Sequence, residues 1–552
     1  MNFKIDKKII LILILVLAVF LRFYWLGQTP PSPNWDEVAL GYNAYSLYQT
    51  GADEYGAKLP LILRSFDDYK PAIYSYLSIL PVITFGLNVF AVRFPAALLG
   101  CLAIFVVYLL VKEIFASFKK KEELALLTAF LLAISPWHLQ FSRIAFESNI
   151  GVFFNMLIVL FFLKGLRKPL FLSLSAFFAG LNIYVYQAEK VFGPLLVLSL
   201  VVIYFRRLIK ISWQYLAAGV AVGVVLLIPF VFLIFSTPEI FLRAQGTSVS
   251  ADQTNFLATT IERLEKDREA GDYLGLILNN RRVVYAQAFA SGYLSHFNLN
   301  WLFLNGDQPR HHAPGMGLMY LWELPFLLMG IYALFFGKMD RKEKGLILAW
   351  LLIAPIPAAF TTGVPHGVRT LRFLPVLQIF TALGLLSLAS FLKGKRLIVK
   401  RLIWGILAVF VLFNFVYFAN QYLVQQNYFY SSFWQYGYKQ AVSEAEMIKD
   451  NYQEIVVSND PHLDQSYMFF LFYTQFDPVE YQRLGGTISG GFAETHRGFG
   501  KYTFRPIEWE KETSSRKVLY VGQPEDFGGG ARIIKTINFL DGEPAIQLGE
   551  KE

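Results

Sequence analysis

Cysteine is all but missing from this 552-residue chain. Cys101 stands alone inside an apolar run, which excludes a disulfide framework and a thiolate metal site. Charge is scarce too: 16% of the residues are Asp, Glu, Lys or Arg, where soluble domains carry about a quarter. No internal repeat is apparent. The one glycine-rich cluster, GGTISGGF at 485–492, lacks the strand–loop–helix frame of a nucleotide loop and reads as a flexible turn. What the chain has in quantity is apolar surface, with 55% hydrophobic and 17% aromatic residues.

Runs of about twenty apolar residues are long enough to cross roughly 30 Å of hydrocarbon. They recur near 7–26, 88–113, 123–137, 149–164, 169–186, 190–205, 213–235, 316–337, 344–361, 371–392 and 401–424. About 11 transmembrane helices, in an all-α polytopic membrane protein, are the expectation. The first run starts like a signal peptide, but its core is longer and no small-residue cleavage site precedes RFYWLGQTPP, so it is expected to stay as an anchor. PAIYSYLSILPVITFG, 71–86, is apolar but short. Its prolines and aromatics suit a helix lying in the membrane interface within the first external loop, 27–87.

The net charge of +9 suggests nucleic acid until the charges are placed. KIDKK at 4–8, KKK at 119–121, KGLRK at 164–168, RRLIK at 206–210, KMDRKEK at 338–344 and KGKRLIVKR at 393–401 all fall between spans on one side. Basic loops stay cytoplasmic. The expectation is a multi-pass plasma-membrane protein with a cytoplasmic N-terminus, membrane lipids around it and no nucleic-acid partner.

The outer face then collects polar groups. They lie in the first loop, in SPWHLQFSRIAFESN (135–149), in YVYQAEKVFGP (184–194), in TTGVPHGVRTLRFLP (361–375), and in a long loop, 236–315, that runs into NGDQPRHHAPGMG. Ionisable groups near membrane depth are costly and tend to face a cavity. Asp36, Glu37, Lys70, Arg93, His138, Arg143, Lys190, His366, Arg369 and Arg372 all fall at outer span ends. Any single Lys or Arg there also suits simple snorkelling. Together, acids and bases on one face read as a site for an anionic ligand with a proton-transfer group. Asp36 or Asn34 suits the N-cap of the helix that follows PPSPN. Capping needs only one carboxylate, and the other is placed to act as a general base. Lys70, in FDDYKPAIY, is placed for a lipid phosphate or for neutralisation by Asp67 or Asp68.

WDEVALGYNAYSL, DDYKPAIYSYLSILPVITFGLNVFAVRFPAALLG, SPWHLQFSR and YQAEKVFGP, in this order, resemble lipid-linked-sugar glycosyltransferases of the GT-C membrane fold. The likeness is to the bacterial branch of the protein O-mannosyltransferase superfamily, which includes the aminoarabinose transferases, and runs from residue 1 to about 390. It implies transfer of a sugar from a polyprenyl-phosphate donor to an extracytoplasmic protein, lipid or cell-envelope glycan, with inversion. It places Asp36 and Glu37 at the reaction centre and Lys70, in YKPA, on the donor phosphate. Ala72 stands where the family has a second proline. Lys190 stands where it usually has arginine, which keeps the charge but weakens a bidentate phosphate contact.

Cations should meet charge developing on a leaving phosphate, and Lys70, Arg93, Lys190 and Arg372 are the candidates. Tyr42, Asp67, Asp68, His138, Arg143, Gln187, His366 and Arg369 are the candidates for the substrate pocket. A divalent cation, Mg or Mn, is left open, since Asp36, Glu37 and Asp67 offer suitable oxygens. Adjacent His311 and His312 are poorly spaced for one metal, so no metal ligands are expected.

Residues 429–552 change character and predict a small α/β extracytoplasmic domain beyond the transmembrane domain, 1–428. The expected elements are a helix at 437–451, a strand at 454–458, a helix at 467–476, and strands at 517–522 and 532–539. TTIERLEKDREAGDYLG, in the long loop, reads as a lid or as a solvated linker helix. Two rival functions remain: a transporter, which more often shows paired repeats, and a non-catalytic envelope-glycan export component, which has no need of the ordered acidic and basic motifs.

Overall fold

The computed structural model describes residues 6–66, 68–237, 246–248, 258–487, 498–512 and 517–552. Each of the eleven apolar runs is helical. The helices are Lys7–Phe23, Val89–Ile114, Lys121–Ile134, Ser148–Gly165, Phe171–Asn182, Glu189–Leu208, Trp213–Ser236, Glu323–Phe336, Arg341–Ile353, Val376–Phe391 and Leu397–Asn420. The protein is a multi-pass membrane protein. Burial sorts its helices by surroundings: 89% of the apolar window of Ser148–Gly165 is buried, against 6% for Trp213–Ser236. The second helix therefore offers its side chains to lipid.

The chain divides into two compact units. One comprises Met1–Leu15, Leu102–His138 and Ile150–Asn414; the other comprises Val16–Cys101, Leu139–Asn149 and Phe415–Glu552.

In the first unit, Glu323–Phe336 packs on Val376–Phe391, which in turn packs on Lys121–Ile134. Two glycines make the first contact close. A Cβ on Gly330 would lie 1.8 Å from the Phe380 carbonyl oxygen, and one on Gly384 would lie 2.0 Å from that of Phe326. Without a hydrophobic drive between helices in lipid, such small-residue contacts supply the packing. Trp213–Ser236 rests on Phe171–Asn182, and Arg341–Ile353 on Glu189–Leu208.

The second unit holds the helix Trp35–Thr50, a hairpin of strands Ile62–Ser65 and Asp68–Pro71, and the helix Ile73–Phe85. It also holds a five-stranded sheet in the order Tyr502–Phe504, Glu454–Val457, Val518–Gly522, Pro544–Lys551 and Ala531–Asn538. The first three strands are parallel and the last two antiparallel to their neighbours. Val456, Ile507, Trp509, Val518 and Tyr520 form its core. The helices Tyr438–Ile448 and Ser466–Thr474 precede and follow the strand Glu454–Val457. Two strands of this sheet, and both strands of the hairpin, are not expected from the sequence. Tyr502–Phe504 is only three residues long, and Pro544–Lys551 carries both Pro544 and Gly549, which disguise its alternation. Of the glycine-rich cluster, 485–487 form a turn and loop, and 488–492 lie outside the described residues.

Candidate functional site

The second unit carries the first-loop acids. PPSPN ends in Asn34, whose extended backbone (φ −86°, ψ 173°) starts the helix Trp35–Thr50. Its side chain accepts the Glu37 N–H at 3.1 Å, and the Glu37 carboxylate accepts the Asn34 N–H at 3.2 Å. This reciprocal capping box makes Asn34 the cap and leaves Asp36 out of it. Asp36 contacts the Lys70 ammonium, held out by the hairpin; the two side chains are 29% and 11% exposed. Lys70 Nζ also lies 3.5 Å from Ser65 Oγ and over the Phe66 ring.

The adjacent carboxylates therefore differ. Glu37 is fully buried and accepts four N–H groups. Arg93 Nε and Nη2 donate at 2.8 and 3.0 Å, Ala145 N–H at 2.9 Å, and Asn34 N–H completes the set. Arg93 spends its remaining donors on the carbonyls of Leu26 (3.1 Å), Pro30 (2.9 Å) and Ser32 (2.8 Å). A guanidinium has five N–H donors, and all five are used. Arg93 was expected at the donor phosphate, but it has no donor left for one; it fixes the entry to the helix instead. Arg143 acts similarly, donating to Leu21 O at 2.7 Å, Thr29 O at 3.2 Å and the Tyr422 hydroxyl at 3.3 Å.

Residues far along the chain grip both ends of this helix. Gln435 Oε1 accepts the Trp35 N–H at 2.9 Å, immediately before Asp36. At the other end, Gln482 Nε2 lies 3.0 Å from Ser46 Oγ, Thr50 Oγ1 and Asp53 O. Buried Glu54 accepts from Asn43 Nδ2 (3.1 Å), Tyr467 OH (3.2 Å) and Thr487 Oγ1 (2.7 Å). Burial pushes its carboxyl up to about 7, against the pull of those donors. Tyr42 was expected in a substrate pocket; here it is buried, with its hydroxyl donating to Phe476 O at 3.1 Å. Asp67 lies outside the described residues, and Asp68 lies on the second hairpin strand.

The first unit holds the other candidates. Arg372 and Glu189 are fully buried 3.3 Å apart. Glu189 Oε2 accepts from Asn155 Nδ2 at 2.8 Å and Asn182 Nδ2 at 3.2 Å, whereas no guanidinium nitrogen of Arg372 has a hydrogen-bond partner among the described residues. Lys190 donates to Gln187 Oε1 at 2.5 Å and lies over the Phe230 ring. His138 is buried. Arg369 braces its own loop through Thr361 Oγ1 (2.5 Å) and Thr362 O (2.8 Å).

A group that sequence reasoning missed surrounds His366. Asp307 Oδ2 is 2.8 Å from His311 Nδ1 and accepts the Gly367 N–H, while the His311 and His366 rings lie 4.9 Å apart. His296 Nδ1 bonds Gly292 O at 2.7 Å, so it carries the proton, and Nε2 accepts the His366 N–H at 3.2 Å. Burial lowers all three histidines, His296 to about 4. Burial alone would raise Asp307, but its contacts with His311, His366 and Gly367 hold it down to about 2. Fifty-five positions separate His311 from His366, and no local spacing announces their meeting.

Residues 69–232 match the family described as dolichyl-phosphate-mannose-protein mannosyltransferase. That match takes in Lys70, Arg93, His138, Arg143, Gln187 and Lys190. Among curated proteins the sequence has no significant match. The structure is similar to that of ArnT from Cupriavidus metallidurans bound to undecaprenyl phosphate, with TM-score 0.53, 14% identity and 97% of each chain covered. It is also similar to the apo oligosaccharyltransferase of Archaeoglobus fulgidus, with TM-score 0.51 and 14% identity over 85% of this chain. The chain spans 64% of the length of that oligosaccharyltransferase. The fold is thus GT-C, that of lipid-linked-sugar glycosyltransferases.

Proposed function

We propose that this GT-C chain is an integral-membrane glycosyltransferase that moves a sugar from a polyprenyl-phosphate donor to an extracytoplasmic acceptor. The observation that carries this reading is the Asp36–Lys70 contact: a partly exposed carboxylate outside the capping box, held against an ammonium on a hairpin. The family match and the undecaprenyl phosphate bound by the similar ArnT support the choice of donor. The basic loops support an outward-facing site.

In this reading the donor phosphate competes with Asp36 for Lys70. When phosphate takes the ammonium, the carboxylate is released to accept a proton. The acceptor oxygen then attacks the anomeric carbon from the face opposite the phosphate and gives its proton to Asp36. The carbon–oxygen bond to phosphate breaks, and polyprenyl phosphate leaves with its charge met by Lys70. Glu37 and Arg93 position Asp36. The acceptor is a protein, a lipid or an envelope glycan. No metal enters these steps.

The test is transfer from radiolabelled polyprenyl-phosphate sugars to an envelope extract by purified protein. Asp36→Asn is expected to lower turnover by about 10²–10⁴-fold, the usual worth of a general base. Lys70→Ala is expected chiefly to weaken donor binding. Equal transfer by wild type and Asp36→Asn removes the carboxylate from the mechanism.

A further inference from the structure

We infer that Asp307, His311 and His366 form a metal site, suited to zinc, that clasps the segment 306–312 to the segment 364–370. One ligand atom from each side chain lies within 4.8 Å of the other two. One carboxylate and two imidazoles are a donor set that zinc favours, with a fourth, tetrahedral position left for water. Zinc at its usual distances of about 2.0–2.2 Å needs these atoms to draw somewhat closer. The three donors come from loops outside the helices, where side chains shift most readily.

A second observation points the same way. His366 Nδ1 is shut off from solvent and has no hydrogen-bond partner among the described residues, although the His366 backbone N–H is held by His296. An unpaired buried nitrogen is costly, and a cation supplies what it lacks. The 2.8 Å contact between Asp307 Oδ2 and His311 Nδ1 already brings two donors to the spacing of neighbouring ligands, and a zinc ion would take the place of the proton between them.

The tandem histidines mislead in sequence, because only one of them belongs to the cluster. His312 turns to backbone, its nitrogens facing the carbonyls of Asp307 (2.7 Å), Ala313 (2.8 Å) and Met316 (3.0 Å). It shapes the loop that presents Asp307 and His311.

The site is tested by binding rather than by transfer, so its failure and that of the glycosyltransferase reading are separable. Full-length protein in detergent is stripped with a chelator, equilibrated with zinc chloride and gel-filtered. Elemental analysis is expected to find one zinc per chain, and the unfolding midpoint is expected to rise with zinc. Asp307→Asn and His366→Gln should each lower zinc affinity by roughly tenfold or more. His462→Gln, which alters an exposed histidine elsewhere, should leave it unchanged. Cobalt(II) loaded into wild type gives a measurement independent of any variant's folding: intense visible absorption indicates a low-coordinate nitrogen–oxygen site. No retained zinc, equal retention by wild type and His366→Gln, or cobalt with only its weak six-coordinate spectrum overturns the inference.

Discussion

Each unit contains an arginine–glutamate pair with no exposed surface, and the two are differently built. Arg93 grips Glu37 through two hydrogen bonds and gives its other donors to three backbone carbonyls. Arg372 stands 3.3 Å from Glu189 without a hydrogen bond on any guanidinium nitrogen among the described residues, and two asparagines hold the acid instead. Burial alone says little about what an ion pair does, since desolvation can cancel the Coulomb gain. The hydrogen-bond complement is more telling. A guanidinium with every donor engaged holds backbone in place; Arg372 instead rests on the charge of Glu189 and on the Tyr186 and Phe192 rings.

The sharpest way to break this contrast is to remove each arginine. Arg93→Gln leaves Glu37 buried without its partner, and losses of about 3–5 kcal/mol follow from such deletions. Little folded protein should survive purification, as gel filtration and thermal unfolding would show. Arg372→Gln also leaves a carboxylate buried, but Asn155 and Asn182 still hold Glu189, so a smaller loss is expected, read by the same thermal unfolding. A double-mutant cycle on stability should find strong coupling between 37 and 93 and weak coupling between 189 and 372. Equal couplings would erase the distinction.

Two smaller effects concern the grip on the first-loop helix. Glu54 has its folded pKa raised from 4.5 to about 7 by burial, so between those values the folded state binds more protons than the unfolded one. Stability from this group is full below about pH 4.5, declines as pH rises through 7, and then levels off, by up to about 3 kcal/mol. Glu54→Gln should flatten that profile in unfolding scans at pH 5 and pH 8, gaining relative to wild type at the higher pH. Gln435→Ala removes one hydrogen bond to Trp35 N–H and should cost about 1 kcal/mol. If Asp36 depends on that contact for position, kcat should fall while donor KM holds.

The helices were legible because crossing hydrocarbon needs length and apolarity, and both are written along the chain; all eleven runs fold as helices. The sheet was legible only in its strongly β-branched strands. Asp36 and Glu37 stood out as a pair, but which acid serves the cap depends on where the helix begins. NWDE does contain the clue, an asparagine with glutamate three positions later. Arg93 was flagged for its charge, yet its partners are backbone carbonyls, and no side-chain pattern encodes those. Asp307, His311 and His366 meet through loop geometry set by the helices between them, which residue spacing does not reveal.

The helix bearing Asp36 is near the start of the chain, yet its fastenings come late: Gln435 is 400 positions beyond Trp35, and Thr487 is 433 beyond Glu54. A nascent chain therefore carries the carboxylate long before it carries what aims it. Until the ribosome has passed these late residues, Asp36 waits on a helix that lacks their bonds. Order of synthesis thus separates insertion into the membrane from the fastening of this helix, and a prematurely ended product would occupy the bilayer with the helix still unfastened.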